Sequence, residues 1–178
     1  INNPLDLDVK RTVDGTLIGV TTKYFNAANV DTNGIDIEIN YSFDTNLGSL
    51  NMVLRGTHIL KYEIPDTSGG SKDVVGLFNH DNFARSLPET KIILNADIIN
   101  NQHIFSLVGR YTSDYKTTRV LSSSAKSLGY NQNIDEWFSI DSRYNYSFEF
   151  NENEMRLSLG IKNIFDEEAP QVYDAANF

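Results

Sequence analysis

Apolar and polar residues alternate with a period of two over long stretches of this chain. Between residues 136 and 150, Tyr144, Tyr146 and Phe148 fall on one face of an extended strand, whereas Arg143 and Asn145 fall on the other. Successive side chains of a β-strand point to opposite faces, so this run predicts a strand with one apolar and one polar surface. It is longer than the roughly 5–6 residues usual in soluble domains, and it reaches the about 9–11 residues with which a tilted strand crosses a bilayer.

The same counting predicts an all-β chain of seven strands and no helix of useful length. The strands cover residues 15–25, 34–44, 48–64, 89–100, 103–115, 136–150 and 154–165. Three connections are short polar turns near 45–47, 100–102 and 151–153, whereas the others are long, namely 26–33, 65–88, 116–135 and the residues after Asp166. In an antiparallel up-and-down meander, alternate connections lie at the same end, so the short turns should share one end and the long loops the other. Outer-membrane β-barrels have this asymmetry.

Two architectures fit such strands, a transmembrane β-barrel and a soluble β-sandwich that serves as an extracellular binding or adhesion module. The apolar faces of the second, sixth and seventh strands carry no charged residue, as a lipid-facing surface requires. Aromatic residues collect near the strand ends, which is typical of the two interfaces of a membrane barrel. Those near the long loops are Tyr24, Tyr62, Tyr111 and Tyr115, and those near the short turns are Tyr41, Phe43, Phe105, Phe148 and Phe150. Tyr144 lies in mid-strand and does not fit this pattern. The balance favours the barrel.

Composition excludes several classes of function. The chain has 178 residues and a net charge of −9, which argues against a nucleic-acid-binding surface. It has no cysteine, and no catalytic or phosphate-binding motif occurs, so no enzyme activity, metal site or cofactor is predicted. The chain opens at Ile1 without a basic region followed by an apolar stretch. We therefore expect that a signal peptide has been removed or that the chain begins within a longer protein.

Three stretches resemble the C-terminal part of the barrel of TonB-dependent outer-membrane receptors. The most specific is GIKNIFDEEAP at residues 160–170, which is similar to that family's late-strand pattern G-x-x-N-L-F-D followed by acidic residues and proline. NGIDIE at 33–38 is similar to a recurrent strand opening of the family. LPE at 87–89 and RYT at 110–112 also resemble family segments.

The resemblance implies a function and a set of partners. It implies a 22-stranded barrel with a plugged lumen in the bacterial outer membrane, which takes up a scarce nutrient such as a siderophore, vitamin B12 or an oligosaccharide. Its partners would be outer-membrane lipid, the plug and remaining strands of the same receptor, TonB acting through the plug, and a small-molecule ligand. The plug, the TonB box and the closing strand of the family have no counterpart in the sequence. Residues 1–178 are therefore predicted to be a fragment of the barrel domain, since about seven strands cannot close a bacterial barrel.

Two groups of candidate residues follow. The polar faces of the strands should line the lumen, where most charges pair across strands and a few contact the substrate. The lumen-facing candidates are Asp36, Glu38, Arg55, Lys61, Arg110, Asp141, Arg143, Arg156 and Lys162. The two longest loops lie on the predicted outside, and either they contact ligand or they are disordered lids without selectivity. Their candidate ligand-binding residues are Asn79, His80, Asp81, Phe83, Arg85, Arg119 and Tyr130.

Overall fold

The structure is a computed structural model, and it describes residues 8–21, 29–66, 69–79 and 84–172. These residues form an all-β chain with one short helix. The strands, in chain order, are β1 Asp8–Arg11, β2 Leu17–Thr21, β3 Asp31–Thr45, β4 Gly48–Pro65, β5 Ser71–Asp73, β6 Leu77–Asn79, β7 Arg85–Leu87, β8 Thr90–Asn100, β9 His103–Thr112, β10 Tyr115–Thr117, β11 Asn133–Ile134, β12 Trp137–Phe150 and β13 Asn153–Ile161. The helix, α1, covers Ser123–Ser127 and lies between β10 and β11.

The largest sheet has seven strands and is antiparallel. Six strands follow the order β13-β12-β9-β8-β4-β3, and β5 pairs with the end of β4. Turns at residues 46–47, 101–102 and 151–152 join three of the neighbouring pairs, which confirms the predicted hairpins. At the first turn, Gly48 has a φ of +127°, and a Cβ there would lie 2.3 Å from the carbonyl oxygen of Ile99, so only glycine fits. The outer strands β3 and β13 do not pair with each other within the described residues, so this sheet is open.

The first predicted strand does not join this sheet. In the described part of the predicted range 15–25, the strand is Leu17–Thr21, and it pairs with β1 in a separate two-stranded sheet. Residues 22–28, which include Tyr24, lie outside the described residues. The predicted seven-stranded meander is therefore wrong in this detail, since the main sheet takes its seventh strand from the short segment β5. A local hairpin partner was available to β2, and alternation alone does not identify the partner of a strand.

A β-bulge changes the phase of β4. The pairing with β3 follows one register as far as Gly34↔Ile59, and the next pair is Asn33↔Lys61, so Leu60 is the extra residue. Paired residues share a face of the sheet, and Asn33 is in phase with the apolar residues of β3. The register thus places Lys61 out of phase with the other predicted lumen-facing residues. Its ammonium group lies 3.0 Å from Oδ2 of Asp31.

The two longest loops fold against each other. We call the unit formed by β6, β7, β10, β11 and α1 the loop module. Its four-stranded sheet has the order β11-β10-β6-β7, and the central pair, β10 with β6, is parallel. The buried hydrophobic residues of the described chain all lie in or beside this module; they are Ile64, Val74, Leu121, Ala125 and Ile134. The described parts of both loops therefore form one folded unit, with a common four-stranded sheet and buried residues from each loop. The sequence predicted the loops either as ligand contacts or as disordered lids and did not predict this unit.

The chain leaves β13 through a turn built around Asn163. The last strand ends at Ile161 rather than near residue 165 as predicted, and Asn163 has a φ of +49°. The Nδ2 of Asn163 donates to the carbonyl of Glu167 at 2.9 Å, and its Oδ1 accepts from the backbone N–H of Glu167 at 3.1 Å. Asparagine suits this position because it tolerates the left-handed region and its amide can bond nearby backbone.

Candidate functional site

The main sheet has one continuous apolar face, and nothing among the described residues covers it. The exposed fraction is 52% for Ile37 on β3 and 62% for Leu159 on β13. The register extends this face across β3, β4 up to His58, β8, β9, β12 and β13. Apart from Asp31, which begins β3 and pairs with Glu63 beyond the bulge, none of the residues that it places there is Asp, Glu, Lys or Arg. The charge-free surface predicted for three strands thus runs across six.

Aromatic residues concentrate at the short-turn end of this face. Tyr144 pairs with Phe105, and Phe105 pairs with Ile98. Tyr144 therefore lies in one of the rows of the sheet nearest the short turns, although it is in the middle of its own strand. The Nδ1 of His103 lies 2.7 Å from the Tyr144 hydroxyl, and its ring stacks on Tyr146 with centroids 4.8 Å apart. The residue that did not fit the aromatic pattern therefore belongs to it, because β12 extends beyond β9 at this end.

The aromatic pattern at the other end is smaller than predicted. Tyr111 pairs with Phe138 on the apolar face and fits the pattern. Tyr62 lies beyond the bulge and pairs with Thr32, which is in phase with the polar face. Tyr115 belongs to β10 of the loop module and not to the main sheet. Tyr62 and Tyr115 therefore depart from the predicted outward aromatic positions.

The opposite face of the main sheet is polar and partly paired. Glu38 Oε2 lies 2.9 Å from Arg55 Nε, and Asp141 Oδ2 lies 2.6 Å from Arg110 Nη1. The register brings the other predicted lumen-facing residues except Lys61 to this face; they are Asp36, Arg143, Arg156 and Lys162. The sequence had anticipated pairing of opposite charges across strands. The structure confirms it for these two pairs.

A cavity of about 640 Å³ lies on the polar face beneath the loop module. The segment Ser86–Pro88 lines one part of it, and charged residues of the strands line another part together with Ile59 and Ile93. Those charged residues are Asp36, Glu38, Arg55 and Lys91. The cavity therefore combines apolar surface with charges of both signs, which suits a small molecule with polar groups.

A second cavity, of about 330 Å³, adjoins the first and shares Ser86, Pro88 and Lys91 with it. Trp137 lines it, and the indole Nε1 of Trp137 is a buried donor that has no hydrogen-bond partner among the described residues. The sequence analysis missed both Lys91 and Trp137. Both lie in phase with the polar residues of their strands, and strand phase is the signal that would have found them.

The loop residues predicted to bind ligand have different environments. Asn79 is fully buried, and its Nδ2 donates to the carbonyls of Val74, Leu77 and Arg85. It therefore ties β6 to β7 and to Val74, the residue that follows β5. Arg85 is exposed and has a φ of +51°. Arg119 and Tyr130 are half-buried in the module, and His80, Asp81 and Phe83 lie outside the described residues.

Among the described residues, no group of three or more His, Cys, Asp or Glu side chains could hold a metal ion. No helix within the described ranges has the length and hydropathy needed to span a membrane. Comparison of the chain with protein-family models, curated proteins and solved structures finds no match.

Proposed function

We propose that this chain is a wall segment of an outer-membrane receptor that takes up a scarce small molecule with energy supplied through TonB. The observation that carries the proposal is the main sheet, which has a wide apolar face that nothing among the described residues covers and a charged face on the other side. Apolar surface of this extent is costly in water, and monomeric soluble proteins rarely expose it. Lipid would cover the apolar face, and the polar face would line a water-filled lumen.

The dimensions of the apolar face support a membrane location. On β3 it runs from Ile35 to Phe43, which is nine residues. At 3.3–3.4 Å per residue these span about 26 Å along the strand, which at a tilt of about 40° covers about 20 Å of the apolar band of about 25 Å in outer-membrane barrels. The aromatic rows at its short-turn end suit the lipid–water interface. A soluble sandwich would need a second sheet over the apolar face. The loop module contacts the polar face instead, through Ser86–Pro88.

The open edges and the loop module complete the proposal. The free edges of β3 and β13 offer unpaired backbone groups to further strands of the receptor, since a spanning sheet must close on itself. The loop module would form part of the outer vestibule, where its cavities meet the ligand first. Two parts of the proposal, the energy supplied through TonB and the class of nutrient, rest on the resemblance of residues 160–170 to TonB-dependent receptors.

Spin labels at two matched pairs of positions test the membrane orientation. Labels at Ile37 and Leu159 should be accessible to oxygen, which partitions into lipid, and labels at Glu38 and Ser158 should be accessible to a water-soluble nickel chelate. The labels are attached singly to the purified protein in lipid vesicles. If the labels at Ile37 and Leu159 are shielded from both reagents, the apolar face packs against protein and the soluble sandwich is the better reading.

A further inference from the structure

We propose that the polar face carries a binding site for an oxyanion, either a carboxylate or a phosphate group of the transported solute. The site is a cavity of about 330 Å³ in the β9–β12–β13 region of the sheet, lined by Arg110, Arg143 and Lys162 together with Asp97, Asp141 and Gly160. The inference deepens the proposed function, on which it rests, because it names a chemical group that the solute carries.

The register brings the three cations together. Arg143 on β12 pairs with Gly160 on β13, and Lys162, one residue beyond the end of β13, lines the same cavity. In a regular ladder a residue two positions from the paired residue lies about 7–8 Å away at Cα, within reach of long side chains. Arg110 reaches the same region from β9, since its Nη1 lies 2.6 Å from Asp141 Oδ2. The three cations are separated by up to 52 residues along the chain, from 110 to 162.

The cations of the site outnumber its carboxylates, so the site carries a net positive charge. Asp141 is fully engaged, with Oδ2 on Arg110 and Oδ1 accepting from the backbone N–H of Asn163 at 2.9 Å. Within the described residues, Arg143 and Lys162 form no ion pair within 4.0 Å. Three cations therefore face two carboxylates in a chain whose net charge is −9. Like charges repel at this separation, so a bound anion would stabilise the cluster.

The chemistry of the available groups selects an oxyanion. The guanidinium of Arg143 presents a planar fork of donors that matches the two oxygens of a carboxylate or phosphate group, and the Lys162 ammonium adds a point charge. Arg143 and Lys162 are both exposed, so an anion reaches them without displacing protein groups. A bound cation would be repelled by the excess positive charge of the site. Of the two carboxylates that line the cavity, Asp141 is paired with Arg110, so Asp97 alone would be left to bind a cation.

Gly160 gives the cavity its depth. A Cβ at this position would have Ser142 O as its nearest neighbour, at 3.6 Å, which is ordinary van der Waals contact. Its φ is not in the left-handed region, so a side chain at this strand position is tolerated. The substitution Gly160→Leu would thus fill the cavity while leaving all three cations in place.

Calorimetric titration of the purified full chain in an uncharged detergent tests the site. The probes are citrate, pyrophosphate and, as an uncharged control, sucrose, all at one ionic strength. We expect citrate or pyrophosphate to bind and sucrose not to bind, and the tighter of the two anions identifies the chemistry of the solute group. Arg143→Gln should weaken binding by about tenfold, as expected for the loss of a charge-assisted contact. Gly160→Leu should abolish binding.

Arg156→Gln is the matched control, because Arg156 lies on the same face but towards the short turns, 3.9 Å from Glu154. It should leave binding unchanged. The absence of anion binding, or equal weakening by Arg143→Gln and Arg156→Gln, would overturn the proposal. If no anion binds but the labels at Ile37 and Leu159 are accessible to oxygen, only the anion site is rejected. Anion binding with those labels shielded from oxygen would place the site on a soluble protein and reject the membrane function.

Discussion

At the scale of single residues, asparagine side chains stabilise the irregular parts of this chain. Asn163 closes the turn after β13 with two bonds to Glu167, and Asn79 links three carbonyls inside the loop module. Both residues replace backbone pairing where the strands end, because a primary amide offers two donors and an acceptor. The Asn163 turn also gives a physical reason for the asparagine in the motif at 160–170.

The first prediction is that Asn163→Ala destabilises the protein. The substitution removes both bonds to Glu167, and alanine tolerates a φ of +49° less well than asparagine. We expect a loss of about 1–3 kcal/mol in the free energy of unfolding, measured by urea titration. Asn40→Ala is the control, because the Asn40 amide bonds only the exposed Glu38 carboxylate, and it should change stability by less than about 0.5 kcal/mol. Equal effects would refute a special part for the turn.

At the scale of elements, the loop module and the main sheet are held together by different means. The module has buried residues and a parallel pair, β6 with β10, whereas the main sheet depends on ladder pairing, and no described residue covers its apolar face. Asn79 bonds carbonyls of β6, of β7 and of the adjoining Val74. The two elements should therefore respond separately to substitutions.

The second prediction is that Asn79→Ala opens the loop module without unfolding the main sheet. Three carbonyls would lose a donor in a buried site, at a cost of about 1–3 kcal/mol. Limited proteolysis should then cleave within residues 65–88 or 116–135, while circular dichroism keeps its strand signal. Ser86→Ala, a change at an exposed module residue, serves as the control and should remain resistant. Simultaneous loss of the strand signal would show that the module and the sheet form one cooperative unit.

At the scale of the whole molecule, the proposed membrane location depends on the difference between the two faces of the sheet. The third prediction compares adjacent residues of β3. Ile39→Lys places a charge in the central row of the apolar face, and we expect a loss of about 2–4 kcal/mol in the free energy of unfolding in lipid vesicles. Asn40→Lys adds the same side chain to the polar face and should cost less than about 1 kcal/mol. If both variants lose the same stability, the apolar face does not contact lipid.

The sequence by itself determined the six long strands of the main sheet, their three hairpins, their apolar faces and most of the residues on the polar face. These properties are local, because the period of two is a property of an extended backbone and short turns fix the pairing of neighbouring strands. Tertiary structure decided the phase of Lys61, the row of Tyr144, the fold of the loop module and the convergence of Arg110, Arg143 and Lys162. Each depends on which residues of distant segments pair, and a single bulge or an unequal strand length changes that register without leaving a mark in the alternation.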